Sequence, residues 1–250
     1  MRRPTESQSR EHTKGRKIMT PVVQCMGLTK TYGRKIALNQ VYLNLERGRI
    51  IGLLGPNGSG KTTLIKIMNG LLKPTSGDIL INGQRPGVDT KLRVSYLPER
   101  TYLQPGMKVM ELVQYFQDFY PDFRLDRAYD MLTRLQIPPQ ERLKNLSKGT
   151  KEKVQLIMVM SRDADLYILD EPIAGVDPAA RDYILSTIVN NYNHSGSILL
   201  STHLISDVES ILDEVVFIKY GNIVLQAGAE QIRQNEHKSV DQFFREVFAC

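Results

Sequence analysis

The sequence predicts an α/β fold with a helical segment inserted into it, and three observations carry that prediction. The apolar run at 50–54 (IIGLL) leads into the glycine-rich stretch Gly55-Pro56-Asn57-Gly58-Ser59-Gly60-Lys61-Thr62-Thr63, and the apolar segment 63–68 follows at helical spacing. A second apolar run, 166–169, ends in Asp170-Glu171 and reads as a buried strand delivering two carboxylates. Between these, residues 104–145 change from strand-like patterning to helical periodicity.

Taken in order, residues 1–20 are polar and aperiodic, and they read as a disordered basic extension. Residues 22–28 (VVQCMGL) and 37–45 (ALNQVYLNL) read as strands, the second with an imperfect alternation through Leu38, Val41, Leu43 and Leu45. After the glycine loop and its helix, Gly70 and Pro74 break the chain, and 76–83 reads as a short strand ending in a turn. Val109, Leu112, Val113, Phe116, Phe119 and Tyr120 mark one helix face that Pro121 ends; Leu125, Tyr129, Leu132 and Leu135 mark a second that Pro138-Pro139 ends. Ser147 is suited to cap a third helix. A helix is expected over 179–192, a strand over 197–201, and a hairpin of 215–218 with 223–226 turned at Tyr220-Gly221-Asn222. Residues 240–248 read as a short amphipathic helix, and the chain has no internal repeats.

The glycine-rich stretch fits G-x-x-x-x-G-K-[ST], the phosphate-binding loop or Walker A motif. Its three glycines let the backbone curl so that N–H groups face phosphate oxygens. The helix N-terminus adds partial positive charge at the same place. Lys61 is expected to reach the β- and γ-phosphates and the Thr62 hydroxyl to hold Mg²⁺. The tract 166–171 has the form of a Walker B strand, whose carboxyl end lies at the ligand edge of a parallel sheet. Asp170 would accept hydrogen bonds from magnesium-bound water, and Glu171 would polarise the water that attacks the γ-phosphate. Read alone, an Asp-Glu-Pro sequence is also a capped strand end.

Bulk properties narrow the class. With 250 residues, 41% of them hydrophobic, the chain can bury a sizeable core as one large domain with a subdomain. No apolar run approaches the roughly 18 residues of a membrane helix, and the N-terminus lacks the apolar core of a signal peptide. A cytoplasmic protein is expected, with any membrane association reached through a partner. Cys25 and Cys250, near opposite ends, form neither a disulfide framework nor a metal cluster. Of the net charge of +6, residues 1–18 hold +4, so the remainder is not basic enough to argue for nucleic acid, and none is expected as a partner.

At this point the pattern resembles the nucleotide-binding subunit of an ATP-binding cassette (ABC) transporter, over about residues 21–230. Seven motifs stand in the family's order. Tyr32 matches the aromatic residue that stacks on adenine, and Gly55 to Thr63 match Walker A. Tyr96-Leu97-Pro98-Glu99 falls at the Q-loop, and Leu146-Ser147-Lys148-Gly149-Thr150 matches the signature LSGGQ in outline. Asp170-Glu171 match Walker B with its catalytic glutamate, Gly175-Val176-Asp177-Pro178 match the D-loop, and His203 matches the switch histidine. Read alone, Tyr32 fits a surface tyrosine and His203 a satisfied strand-end histidine. Three departures stand out: Glu99 where most members carry Gln, Lys148 where the signature has Gly, and Thr150 where it has Gln. Such variants resemble bacterial export systems of the ABC-2 type.

The resemblance implies a P-loop NTPase core with a mixed sheet, an antiparallel β subdomain and a helical subdomain inserted at about 100–160, followed by a helical tail at 231–250. It implies ATP and Mg²⁺ as ligands. Catalysis would fall to Glu171 and His203. The nucleotide would be held by Tyr32, Gly55 to Thr63, and Ser147 and Gly149; the metal by Thr62, Glu99 and Asp170. In this family each ATP lies between Walker A of one subunit and the signature helix of another. A second ATP-binding subunit, identical or related, and transmembrane permease subunits on separate chains are therefore expected partners. That places the protein peripherally on the inner face of the cell membrane, with export as its expected direction. The alternative is a soluble ABC-type ATPase acting on a macromolecular partner. A regulatory subunit with little hydrolysis is disfavoured by the presence of Glu171 and His203.

Overall fold

The structure, a computed structural model, describes residues 20–249. The extension expected at 1–20 therefore lies outside the described residues in all but Thr20, as does Cys250. The chain opens with β1 (Val23–Tyr32), β2 (Lys35–Leu45), β3 (Ile50–Leu54), α1 (Lys61–Met68) and β4 (Ser76–Ile81). It continues through α2 (Val88–Lys91), β5 (Val94–Leu97), α3 (Val109–Phe119), α4 (Leu125–Arg134) and α5 (Lys148–Met160). It then runs β6 (Leu166–Asp170), α6 (Pro178–Asn191), β7 (Ser197–Thr202), α7 (Ile205–Val208), β8 (Glu214–Lys219), β9 (Asn222–Gly228), α8 (Ala229–Glu236) and α9 (Val240–Phe248).

Two sheets organise these elements. A three-stranded antiparallel sheet has the order β2-β1-β4, and a six-stranded sheet has the order β5-β6-β7-β3-β8-β9. In the larger sheet every pairing is parallel except β8 with β9, so the sheet is mixed. The expected α/β fold, with its antiparallel β subdomain and inserted helices, is the one observed.

Strands β3, β6 and β7 are buried along their whole length, which is why they read as continuous apolar runs rather than alternating ones. Successive residues feed opposite cores. Ile50, Leu54, Tyr167, Leu169, Ile198 and Leu200 pack with the inserted and C-terminal helices. Ile51, Leu53, Leu166, Ile168 and Leu199 pack with α1 and the antiparallel sheet. Four fully buried side chains, Leu64, Ile65, Ile67 and Met68, seat α1 on that second core. Each contributes about 1.5–3 kcal/mol, so the helix that carries the loop is fixed from below.

The uneven alternation in β2 has a local cause. Gln40 adopts φ 45°, and the register with β1 shifts there, so Leu38 and Val41 reach the same core across an irregularity. The turn after β8 has positive φ at both Tyr220 and Gly221, the signature of a tight two-residue hairpin.

The helical faces differ in part from expectation. On α3, Val109, Leu112, Val113 and Phe116 are buried, but Phe119 is 59% exposed and its ring sits 4.6 Å from that of Tyr115. On α4 the buried set is Ala128, Met131 and Leu132; Tyr129 turns outward. The small Ala128 permits close approach, and the larger side chains flank it. Helix α5 is capped by Ser147, whose Oγ accepts from the Thr150 N–H at 3.1 Å. Its second half, Val154 to Met160, is buried all round, as a helix enclosed by a core should be. Three short elements had no signal strong enough to foresee: α2, β5 and α7. Helix α8 runs across residue 230, where the tail was expected to begin.

Candidate active site

The glycine loop joins the end of β3 to α1 and is braced from the side. The Gly221 N–H of the hairpin turn donates to the Ser59 carbonyl at 2.8 Å, and the Asn39 N–H donates to the Gly221 carbonyl at 2.9 Å. Glycine is required where the loop passes these neighbours. Gly60 has φ 116°, and a Cβ there would lie 2.7 Å from the Ala37 carbonyl oxygen. A Cβ at Gly55 would lie 2.3 Å from the Ile218 carbonyl oxygen.

Lys61 is 6% exposed, and its Nζ donates to the Gly55 carbonyl at 2.6 Å and the Pro56 carbonyl at 3.3 Å. Burial lowers the ammonium pKa below its ordinary value, against the opposing pull of Glu171, Asp170 and Glu99. The lysine is thus a caged cation directed into the loop. The Ser59 hydroxyl is buried and has no protein partner. Helix α1 carries no side-chain cap and no acidic residue in its first turn, leaving its opening N–H groups available to an anion.

The open cleft over this loop has a volume of about 450 Å³. Loop residues Asn57 to Thr63 line it, and so do Tyr32, Lys35, Ala37, Glu99, Glu171, Ala174 and His203. Tyr32 stands 49% exposed at its rim, with Lys30 Nζ 5.4 Å from the ring centroid. Asp170 is 2% exposed and opens instead onto an adjoining recess shared with Thr62 and Glu99. Burial raises the Asp170 pKa above its usual value; Glu171 and Glu99 add to the rise, and the Ser201 hydrogen bond and Lys61 oppose it. Glu171 adopts φ 53°, a left-handed conformation that a glutamate reaches only under constraint. Its Oε2 lies 3.0 Å from His203 Nδ1, so the two side chains meet at the cleft mouth.

Of the residues singled out in the sequence, Tyr32, Asn57 to Thr63, Glu99, Glu171 and His203 line one cleft, and Asp170 adjoins it. Gly55 and Pro56 lie beneath, as acceptors for Lys61. Ser147 and Gly149 do not line it. Ser147 caps α5 and pairs with the Thr150 hydroxyl at 2.8 Å, while a Cβ at Gly149 would meet nothing within 4 Å. Four further residues belong to the site and were not foreseen: Lys35, Ala37 and Ala174, which line the cleft, and Ser201, which bonds Asp170. Lys35 stands directly opposite Tyr32 across the first hairpin, a pairing legible in hindsight from the Gly33 turn.

The donor set suits a nucleoside triphosphate. An orphaned buried hydroxyl, a caged ammonium, free helix N–H groups and a curl that no Cβ could enter all converge on one place. Among the described residues no cluster of three or more His, Cys, Asp or Glu side chains could hold a metal alone. The recess of Thr62, Glu99 and Asp170 offers a few hard oxygen ligands, which fits Mg²⁺, an ion that completes its shell with phosphate oxygens and water.

The fold and cleft define a nucleotide-binding cassette built on a phosphate-binding loop. The sequence profile of the ABC transporter family matches residues 38–174. The chain is 32% identical over 209 residues to the SkfA peptide export ATP-binding protein SkfE of Bacillus subtilis strain 168, covering 81% of this chain and 87% of that protein. It is 27% identical over 226 residues to the Nod factor export ATP-binding protein I of Cupriavidus metallidurans, covering 87% of this chain and 75% of that one. A solved ATP-binding subunit of an ABC transporter superposes with a TM-score of 0.81 at 29% identity, covering 90% of this chain and 99% of that chain. The chain belongs to the ABC transporter family. The expectation of an ATP-binding, ATP-hydrolysing cassette subunit is met, and the soluble-ATPase alternative is not favoured.

Proposed function

We propose that this chain is the ATPase subunit of an exporter of the bacterial ABC-2 type, closing as a dimer around two ATP molecules to drive permease subunits on separate chains. The observation that carries the reading is the position of Ser147 and Gly149. They stand off the chain's own cleft, and none of the described residues comes within 4 Å of a Cβ placed at Gly149. A second copy, identical or related, could bring its γ-phosphate against that open surface, and two-fold symmetry would make two equal sites. Export is supported by the similarity to SkfE and to Nod factor export ATP-binding protein I, both named for export. The working place is the cytoplasmic face of the membrane, reached through the permease; among the described residues no helix is long and apolar enough to cross. We assign the ATP-binding domain to 21–230, with its helical subdomain at about 100–160 and the helical tail at 231–250.

In the cleft, Tyr32 offers its ring to adenine, and Lys61, Ser59 and the α1 N–H groups hold the phosphates. Thr62, Glu99 and Asp170 would hold Mg²⁺, which when bound neutralises charge on the β- and γ-phosphate oxygens. Glu171 takes a proton from the attacking water as the bond from the γ-phosphorus to the bridging oxygen breaks. His203, 3.0 Å from that carboxylate, positions it and faces the γ-phosphate.

The test uses light scattering on the full chain with ATP, hydrolysis being blocked by Glu171→Gln. The blocked protein should shift from monomer to dimer. Adding Lys61→Ala or Ser147→Arg to it should each abolish the shift. Mixing those two defective proteins should restore a heterodimer, because one intact Walker A then meets one intact Ser147. A blocked protein that stays monomeric overturns the homodimer; a mixture that stays monomeric while the blocked parent dimerises overturns the shared site.

A further inference from the structure

Ser201 is the penultimate residue of β7 and is fully buried in the centre of the sheet. In the parallel register of β6 with β7 it stands directly opposite Asp170. Its hydroxyl donates to Asp170 Oδ1 at 2.5 Å. The Ser201 hydroxyl oxygen in turn accepts the Glu171 N–H at 3.3 Å, and the Ser201 carbonyl accepts that N–H at 3.0 Å. A single residue thus grips the carboxylate facing the metal recess and the backbone of the catalytic glutamate.

We infer that Ser201 is a positioning residue for ATP hydrolysis, orienting Asp170 toward the metal recess and pinning the left-handed backbone of Glu171. The geometry allows little else. A serine hydroxyl has one proton to donate, and here Asp170 Oδ1 accepts that hydrogen bond, while Asp170 lines the recess with Thr62 and Glu99. Without that donor the carboxylate would be 2% exposed with one oxygen unpartnered, an arrangement that costs free energy and invites rotation. The second grip matters because Glu171 sits at φ 53°. Such a conformation persists only where its surroundings over-determine it, and its N–H is fixed by two Ser201 acceptors. Two residues further on, the chain supplies His203, which meets the same glutamate from its side-chain end. The terminus of β7 therefore holds Glu171 at both ends.

This inference rests on the proposed roles of Asp170 and Glu171, and the experiment keeps the two apart. ATP affinity is titrated with Mg²⁺ and with EDTA for the unaltered chain, Ser201→Ala and Ser201→Thr, and turnover is measured alongside. Loss of a partner that orients a metal ligand typically costs about 10–100-fold in metal affinity or activity. Ser201→Ala should therefore keep its affinity for ATP in EDTA, lose most of the gain given by Mg²⁺, and turn over about tenfold or more slower at saturating ATP. Ser201→Thr, which retains the hydroxyl, should recover both. A variant that was merely unstable would lose the EDTA affinity too. If the unaltered chain gains affinity with Mg²⁺ and Ser201→Ala keeps that gain and its turnover, the role of Ser201 falls alone. If the unaltered chain shows no gain, the metal reading of the recess falls, and this inference with it.

Discussion

Glu171 joins a catalytic carboxylate to a left-handed backbone, φ 53°, and this combination lets function and strain be separated by two substitutions. Glu171→Gln keeps the side-chain length, the strained backbone and an end that can bond His203, but it cannot accept a proton. Glu171→Asn also removes the base, and it relaxes the backbone, since asparagine visits this region readily while other L-residues are held there at a cost of roughly 1–2 kcal/mol. The shorter side chain gives up the 3.0 Å contact to the half-exposed His203, worth about 0–1 kcal/mol at such a site. The net gain for Glu171→Asn is about 1 kcal/mol, or about 2–4 °C at this chain length. Turnover should fall about 10²- to 10⁴-fold in both variants, equivalent to about 3–5 kcal/mol on the barrier, while ATP binding persists. Steady-state phosphate release and melting in EDTA without nucleotide read the two effects separately. An Asn variant that melts at or below the Gln variant refutes the strain argument. A Gln variant that turns over within a few-fold of the parent refutes the base.

Two further outcomes follow from the carboxylates around the recess. Burial raises the Asp170 pKa, so folding favours its neutral form. That contribution to stability is fully present below the unfolded value of about 3.9 and is lost as pH rises through the raised folded value. Asp170→Asn mimics the neutral form, so its melting temperature in EDTA should exceed the parent's by a margin that grows from pH 4 to pH 7; parallel curves would reject the burial argument. Glu99 stands in the recess with Thr62 and Asp170, and its charge should make ATP binding depend more on Mg²⁺ than an amide would. Glu99→Gln should bind ATP more tightly than the parent in EDTA, and equal affinities there would place Glu99 away from the phosphates.

What was legible in the sequence was whatever a contiguous stretch dictates. The loop from Gly55 to Thr63 carries its own strand, curl and helix, and the apolar runs of β3, β6 and β7 announce burial on both faces. Ser147 as a cap needs only the helix it begins. The features that were missed depend on residues brought together from afar. Strand β5 is four residues long and has meaning only beside β6. Phe119 continues a helical stripe in the sequence, yet the packing of α3 stops one turn short of it. Ser201 is the sharpest case, since nothing near it in the sequence connects it to a carboxylate 31 residues away. That connection comes from strand order. The loop strand β3 and the carboxylate strand β6 are not neighbours; β7 lies between them. Its carboxyl end must therefore emerge between the phosphate loop and Asp170, and whatever residues stand there become part of the site. Ser201 and His203 occupy that end, one turned to the core and one to the cleft. The histidine could be anticipated from its chemistry, whereas the serine acquires a role only once the register of β6 with β7 is known.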